Sequence, residues 1–195
     1  YSQRTDHEEY GFLKVATKIE QIKQQAAADE WVITIENGDF IQGSPLTYFT
    51  AKKQAKWRSI YTRLTNAVGY DAGILGNHEF NYGMAYLQQC ETGRRYPILA
   101  ANLKENPGDG VIDAPYKILE HHGLKVGILG LTTQYIPHWE QADHIAGWCF
   151  ESAIKAAKKW VPILREQVDI VIVAYHGGFE CDLETGKPSE RLTGE

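Results

Sequence analysis

The chain has 195 residues, 43% of them apolar and 23% charged, with a formal net charge of -5 at pH 7. That length allows one sizeable core, so a single domain over residues 1–195 is expected, and the acidic balance argues against a general surface for nucleic-acid polymers. No apolar run approaches the ~20 residues that span a bilayer.

The opening segment YSQRTDHEEYG is polar and lacks the apolar centre of a signal peptide. The single Met is Met84, so the chain reads as a piece cut or processed from something longer. Cys90, Cys149 and Cys181 are widely spaced with no C-x-x-C pair, which gives neither a disulfide framework nor a zinc ribbon. Free, mostly buried thiols are the expectation.

Residues 11–28 place Phe12, Val15, Ile19, Ile22 and Ala26 three and four apart, which predicts an amphipathic helix with one core-facing stripe. WVITIE, 31–36, is short and rich in β-branched residues and predicts a buried strand. NGDFIQGSP follows as a loop. A second helix is predicted over about 51–68, with Trp57, Ile60, Tyr61, Leu64 and Val68 inward and Gly69 as its stop. DAGIL is a short strand, GNHEFNYG the loop after it, 84–92 a third helix, and YPILAANL a strand ending at Asn102.

After the loop KENPGDG, the strands YKILEH and LKVGILGL meet at a tight turn on His122-Gly123. A helix over about 150–167 turns Ala153, Ala157, Val161 and Leu164 inward, with Pro162 kinking it. The apolar strand VDIVIVAY then runs into His176. Strands alternating with helices indicate an α/β fold with mainly parallel pairing and one hairpin.

Three strands end in residues of one chemical kind: Asp39 after WVITIE, Asn77 and His78 after DAGIL, and His176 after VIVAY. Ligands of open α/β sheets bind beyond the carboxyl ends of the strands. A carboxylate, an amide oxygen and an imidazole converging there form a mixed O/N shell suited to Mn, Fe or Zn. Each residue alone has a plainer reading, as a turn, cap or strand-end residue. Their coincidence at matching strand ends favours the site.

GDFIQGSP, GNHEFNYG, AANL and AYHGG, in that order, resemble blocks of the calcineurin-like metallophosphoesterases, nearest the 5'-nucleotidases and 2',3'-cyclic-nucleotide 2'-phosphodiesterase/3'-nucleotidases. The resemblance implies two mixed β-sheets packed as a sandwich flanked by helices, with two divalent metal ions between loop ends. By it, Asp39 corresponds to the carboxylate bridging both metals, Asn77 and His176 to ligands of the second, and His78 to a histidine that meets the scissile phosphate without binding metal. Asn81 stands where many members carry Asp, and orients the neighbouring histidine without a full charge. The implied substrate is a small nucleotide, and the implied location is extracytoplasmic.

The family's first Asp-x-His and last Gly-His-x-His blocks do not occur among these residues. The chain therefore reads as the central part of a catalytic domain, with one metal or none expected and the piece inactive alone. Asp6, His7, His121, His122, His138, Asp143 and His144 lack ligand spacing and are read as surface residues. AKKQAKWR and IKAAKKW are read as solvated helix faces. The rival reading is a non-catalytic α/β module that binds phosphate or a partner.

Overall fold

Two β-layers face each other across an apolar core, with helices on their outer sides. The structure, a computed structural model, describes residues 11–53, 60–179 and 181–188; Asp6, His7 and Trp57 lie outside them. In the first layer β1 (Ile35–Glu36) pairs parallel with β2 (Ala72–Gly73). That ladder continues through parallel bridges from Gly73 to Ile98 and from Leu99 to Ala114. In the second layer β4 (Tyr116–His121) and β5 (Leu124–Thr132) form a hairpin, and β7 (Ile170–His176) runs parallel to β5. Ala72, Ile74 and Leu99 from one layer and Val126, Ile128 and Ala174 from the other form one buried cluster. The α/β sandwich expected from the sequence is present, its second layer mixed.

The outer sides are closed by helices whose apolar residues recur at helical spacing. Tyr61 of α3 (Ile60–Val68) and Leu87 and Cys90 of α4 (Met84–Glu91) pack with Leu75, Tyr96 and Ile98. Ala156 and Leu164 of α6 (Ala153–Arg165) pack on Leu129 and Leu131 of β5. The hairpin turns on His122 and Gly123, both with positive φ (50° and 83°), the dihedral sign that a two-residue turn needs to follow strand twist. Lys155, Lys158 and Lys159 of α6 are exposed, as a solvated face requires.

Several elements differ from the sequence reading. In place of one helix at 51–68, the described residues carry α2 (Pro45–Lys52), which begins inside the supposed loop, and α3. Ser44 caps it by accepting from Thr47 N–H, with Pro45 in the first turn, a start signal legible in S-P-L-T. The inward face of α3 is Tyr61, Thr62 and Thr65, with Leu64 and Val68 only half-buried. Threonine is tolerated there because the Thr65 hydroxyl donates to the Tyr61 carbonyl four residues back.

α1 (Phe12–Gln25) buries no residue fully; Val15 and Ile22 of its expected core stripe are 44% and 45% exposed. It is held instead at its ends, by Lys23 Nζ donating to the carbonyls of Val68 and Gly69 and by Phe12 meeting Phe40 edge-on. YPILAANL is not one strand. After the bridges at Ile98 and Leu99 the backbone bends, and buried Asn102 donates its amide to the carbonyls of Thr132 and Glu151. That staple leads into β3 (Leu103–Lys104), which pairs antiparallel with β6 (Cys149–Phe150). No disulfide joins the cysteines among the described residues, but only Cys90 is buried; Cys149 and Cys181 are exposed, against the expectation of mostly buried thiols.

Candidate functional site

The carboxyl ends of β1, β2 and β7 deliver three loops to one place. His176 ends β7 opposite Thr132, and Thr133 N–H donates to the His176 carbonyl (2.8 Å), which fixes the end of the strand. The β1 loop carries Asp39 in the left-handed region, φ 65°, a conformation that is costly for a side chain with a Cβ and that recurs at functional sites. Two glycines let the loops touch. A Cβ at Gly38 would overlap the backbone of Gly76 and lie 2.8 Å from His176 Nδ1; one at Gly76 would overlap the Asp39 carboxylate.

At the meeting point His176 Nε2 is 3.3 Å from Asp39 Oδ2 and 3.1 Å from Asn77 Oδ1. His176 Nδ1 lies 2.6 Å from the Asn37 carbonyl, which only accepts, so Nδ1 carries a proton and Nε2 faces the two oxygens. Donors bound to one ion at ~2.0–2.2 Å stand roughly 3.0–3.5 Å apart, the edge of an octahedron or tetrahedron drawn on such bonds. Both measured spacings fall in that range, which is also that of hydrogen bonds from the imidazole, so His176 Nε2 could share a divalent cation with either oxygen. Among the described residues no cluster of three or more His, Cys, Asp or Glu is placed to hold a metal; the third donor here is an amide.

Charge at the site follows from these contacts. Burial raises the Asp39 carboxyl, but hydrogen bonds from His176 and from the His78 N–H (2.9 Å to Oδ1), with the nearby histidine charges, bring it below its ordinary value. The hydrogen bond to Asp39 in turn lifts the His176 imidazole above its own. Asp39 keeps a third of its side chain exposed, so the site opens to solvent. His78 stands in a short 3-10 turn, His78–Phe80, and its Nδ1 is 2.6 Å from Asn81 Oδ1. The structure thus brings Asp39, Asn77, His78, Asn81 and His176 together.

One residue that the sequence reading passed over holds this arrangement. Glu79 is 3% exposed, and its Oε2 accepts from the N–H groups of Asp39 and Gly76, each at 2.7 Å. Its Oε1 accepts from Phe40 (2.7 Å) and Ile41 (3.4 Å). Burial pushes the Glu79 carboxyl up and the N–H donors oppose that shift. Both oxygens receive only donors, so the surroundings are built for the anion. Its only sequence signal was its place directly after His78. The histidines read as surface residues divide: His121, His122 and His138 are exposed, but half-buried His144 pairs with Glu140, its Nδ1 at 2.9 Å from Oε1.

Two facing β-layers flanked by helices, with Asp39, Asn77 and His176 meeting where three strands end, define the class, and the chain belongs to the calcineurin-like phosphoesterase family, whose model matches residues 7–192. It is 32% identical over 187 residues to a 2',3'-cyclic-nucleotide 2'-phosphodiesterase/3'-nucleotidase of Yersinia enterocolitica, covering 90% of this chain and 28% of the relative. A 5'-nucleotidase of Bos taurus is 34% identical over 88% of this chain and 29% of its own. The crystal structure of a Staphylococcus aureus protein described as a putative 5'-nucleotidase superposes over the whole chain and 37% of its own, with a TM-score of 0.84 and 40% identity. The chain thus spans 28–37% of these relatives.

Proposed function

We propose that this chain carries part of the active site of a divalent-metal-dependent phosphoesterase that hydrolyses phosphate esters of small nucleotides, either 2',3'-cyclic nucleotides or nucleoside 3'- or 5'-monophosphates. The observation that carries the reading is the spacing of His176 Nε2 from Asp39 Oδ2 and from Asn77 Oδ1, 3.3 and 3.1 Å, each a coordination-edge distance. The names of the relatives support the substrate class. An extracytoplasmic setting belongs to the same reading and rests on the family resemblance; among the described residues no helix is long and apolar enough to cross a membrane.

In this reading Asp39, Asn77 and His176 would hold the cation, with Asp39 supplying the anionic group. A bound Mn, Zn or Fe supplies positive charge that polarises phosphate oxygens and makes water a better nucleophile at neutral pH. His78 does not ligate. With Nδ1–H held by the Asn81 oxygen, a further proton taken up at Nε2 makes the imidazolium, whose Nε2–H can bind a phosphate oxygen and pass that proton to the leaving oxygen. The described residues bring together ligands for one ion, so the isolated chain is expected to hold at most one metal weakly and to turn over negligibly.

The test compares purified residues 1–195 with a longer chain that includes the encoded flanks. Metal content is measured by elemental analysis, and hydrolysis with 2',3'-cyclic AMP, 3'-AMP and 5'-AMP in added Mn. Turnover by the longer chain supports the reading. Retained metal with no hydrolysis of any of the three would leave the non-catalytic binding module as the better account.

A further inference from the structure

Beyond the metal-facing groups, a chain of hydrogen bonds runs from His78 away from the site and ends on a segment about sixty residues further along. Asn81 Oδ1 accepts from His78 Nδ1 at 2.6 Å, and Asn81 Nδ2 donates to Glu140 Oε2 at 2.7 Å. Glu140 Oε1 accepts from His144 Nδ1 at 2.9 Å and from the Gln141 N–H at 2.9 Å. The Glu140 side chain is only 7% exposed. Its backbone N–H closes the short helix α5 (Ile136–Trp139) onto Ile136, which is fully buried, so the carboxylate is held by the core.

The chemistry of these groups leaves one arrangement. An ionised carboxylate only accepts, so Asn81 must turn its NH2 toward Glu140. Its oxygen therefore faces His78. An amide oxygen also only accepts, so the proton of a neutral His78 must sit on Nδ1, leaving the Nε2 lone pair outward. An aspartate at 81 would need no such help, because both of its oxygens accept. An amide has two unlike ends, and something must choose between them.

We propose that Glu140, braced by His144 and the Gln141 N–H, is a positioning residue that sets the amide of Asn81 and through it the Nδ1–H tautomer of His78. The assignment rests on the reading above only for its consequence in catalysis. The tautomer itself does not depend on it.

Glu140→Gln, nearly isosteric, is the decisive variant. A glutamine accepts on one side only, and two donors, His144 Nδ1–H and Gln141 N–H, meet at Oε1. Its oxygen therefore takes that side and its NH2 turns to Asn81. Asn81 then flips, its NH2 faces His78, and His78 moves its proton to Nε2.

Long-range proton–nitrogen NMR correlation of the imidazoles in 15N-labelled, metal-free residues 1–195, at a pH where they are neutral, reads this directly. The expected result is Nδ1–H for His78 in the parent, Nε2–H in Glu140→Gln, and a mixture of both in Glu140→Ala, with His144 keeping Nδ1–H in Glu140→Gln. A parent with Nε2–H at His78, or a Glu140→Gln chain in which His78 keeps Nδ1–H, overturns the proposal. In the longer chain Glu140→Gln should lower kcat at least tenfold with KM little changed. A switched tautomer with unaltered turnover would sink the role given to His78 in hydrolysis and leave the positioning role standing.

Discussion

Glu79 Oε2 and the backbone nitrogen of Asp39 are 2.7 Å apart, and this hydrogen bond ties the β1 loop to the β2 loop. The same oxygen holds Gly76, so one carboxylate fixes the backbone on both sides of the metal-type donor set. Asp39 keeps its left-handed dihedral inside that clamp. Glu79→Gln would turn an NH2 toward N–H groups that need an acceptor. Loss of charge-assisted bonds to buried donors costs about 3 kcal/mol. Urea unfolding should show that loss, and titration calorimetry with Mn should show weaker binding. Unchanged stability would mean that the clamp is dispensable.

Gly76 supplies a steric counterpart. A Cβ there would stand 2.6 Å from Asp39 N and 2.7 Å from His176 Cε1 as well as overlapping the carboxylate, so the three loops would have to part. Gly76→Ala should therefore weaken metal binding by roughly ten- to a hundredfold, the range seen when the groups that orient ligands are disturbed. Gly178→Ala is the control, since nothing lies within 4 Å of its Cβ position. Equal metal affinity in the two variants would contradict the close approach of the loops.

The parts of this site that were legible in the sequence are those that strand ends announce. Asp39, Asn77 and His176 each follow an apolar run; parallel pairing of β1 with β2 brings the first two ends to one side, and β7 of the facing layer brings the third to meet them. Glu79 and Glu140 had no comparable signal. Each acts across a gap of about 40 or 60 residues, on backbone N–H groups or an amide, and such contacts leave no period in the sequence. The α1 stripe failed for a related reason. Spacing shows that apolar residues share a helix face, but Val15 and Ile22 stay exposed because the described residues place nothing over them. Short strands such as β6 were missed because two residues carry no alternation.

Acid–base behaviour of the core gives a prediction independent of the metal. Glu91 is mostly buried, and burial raises its carboxyl to about 7 from 4.5 despite the Arg94 charge beside it. The folded chain therefore holds this proton more tightly than the unfolded chain does. Its contribution to stability is full below pH 4.5 and is lost as pH rises through about 7. The span is worth about 3 kcal/mol at most. Glu91→Gln should be less sensitive than the parent to a change from pH 5 to pH 8 in urea unfolding. Parallel pH curves for the two would show that Glu91 titrates normally.

Asp39 and His78 should fail differently when replaced, because one is proposed to hold the cation and the other to serve the phosphate. Asp39 accepts from His78 N–H and meets His176 Nε2, so Asp39→Asn removes the anionic member of the donor set while keeping its size. In the longer chain, metal content should fall and turnover with 2',3'-cyclic AMP should disappear. The His78 side chain has its Nδ1 on Asn81 and takes no part in the His176–Asp39–Asn77 contacts. His78→Asn should therefore keep the metal and slow hydrolysis by about a hundred- to ten-thousandfold, the scale of a lost proton-transfer group. Elemental analysis beside steady-state kinetics separates the two outcomes. Activity surviving in Asp39→Asn would place the catalytic centre elsewhere in the protein. Metal lost from His78→Asn would make that histidine a ligand and reverse the roles assigned to the pair.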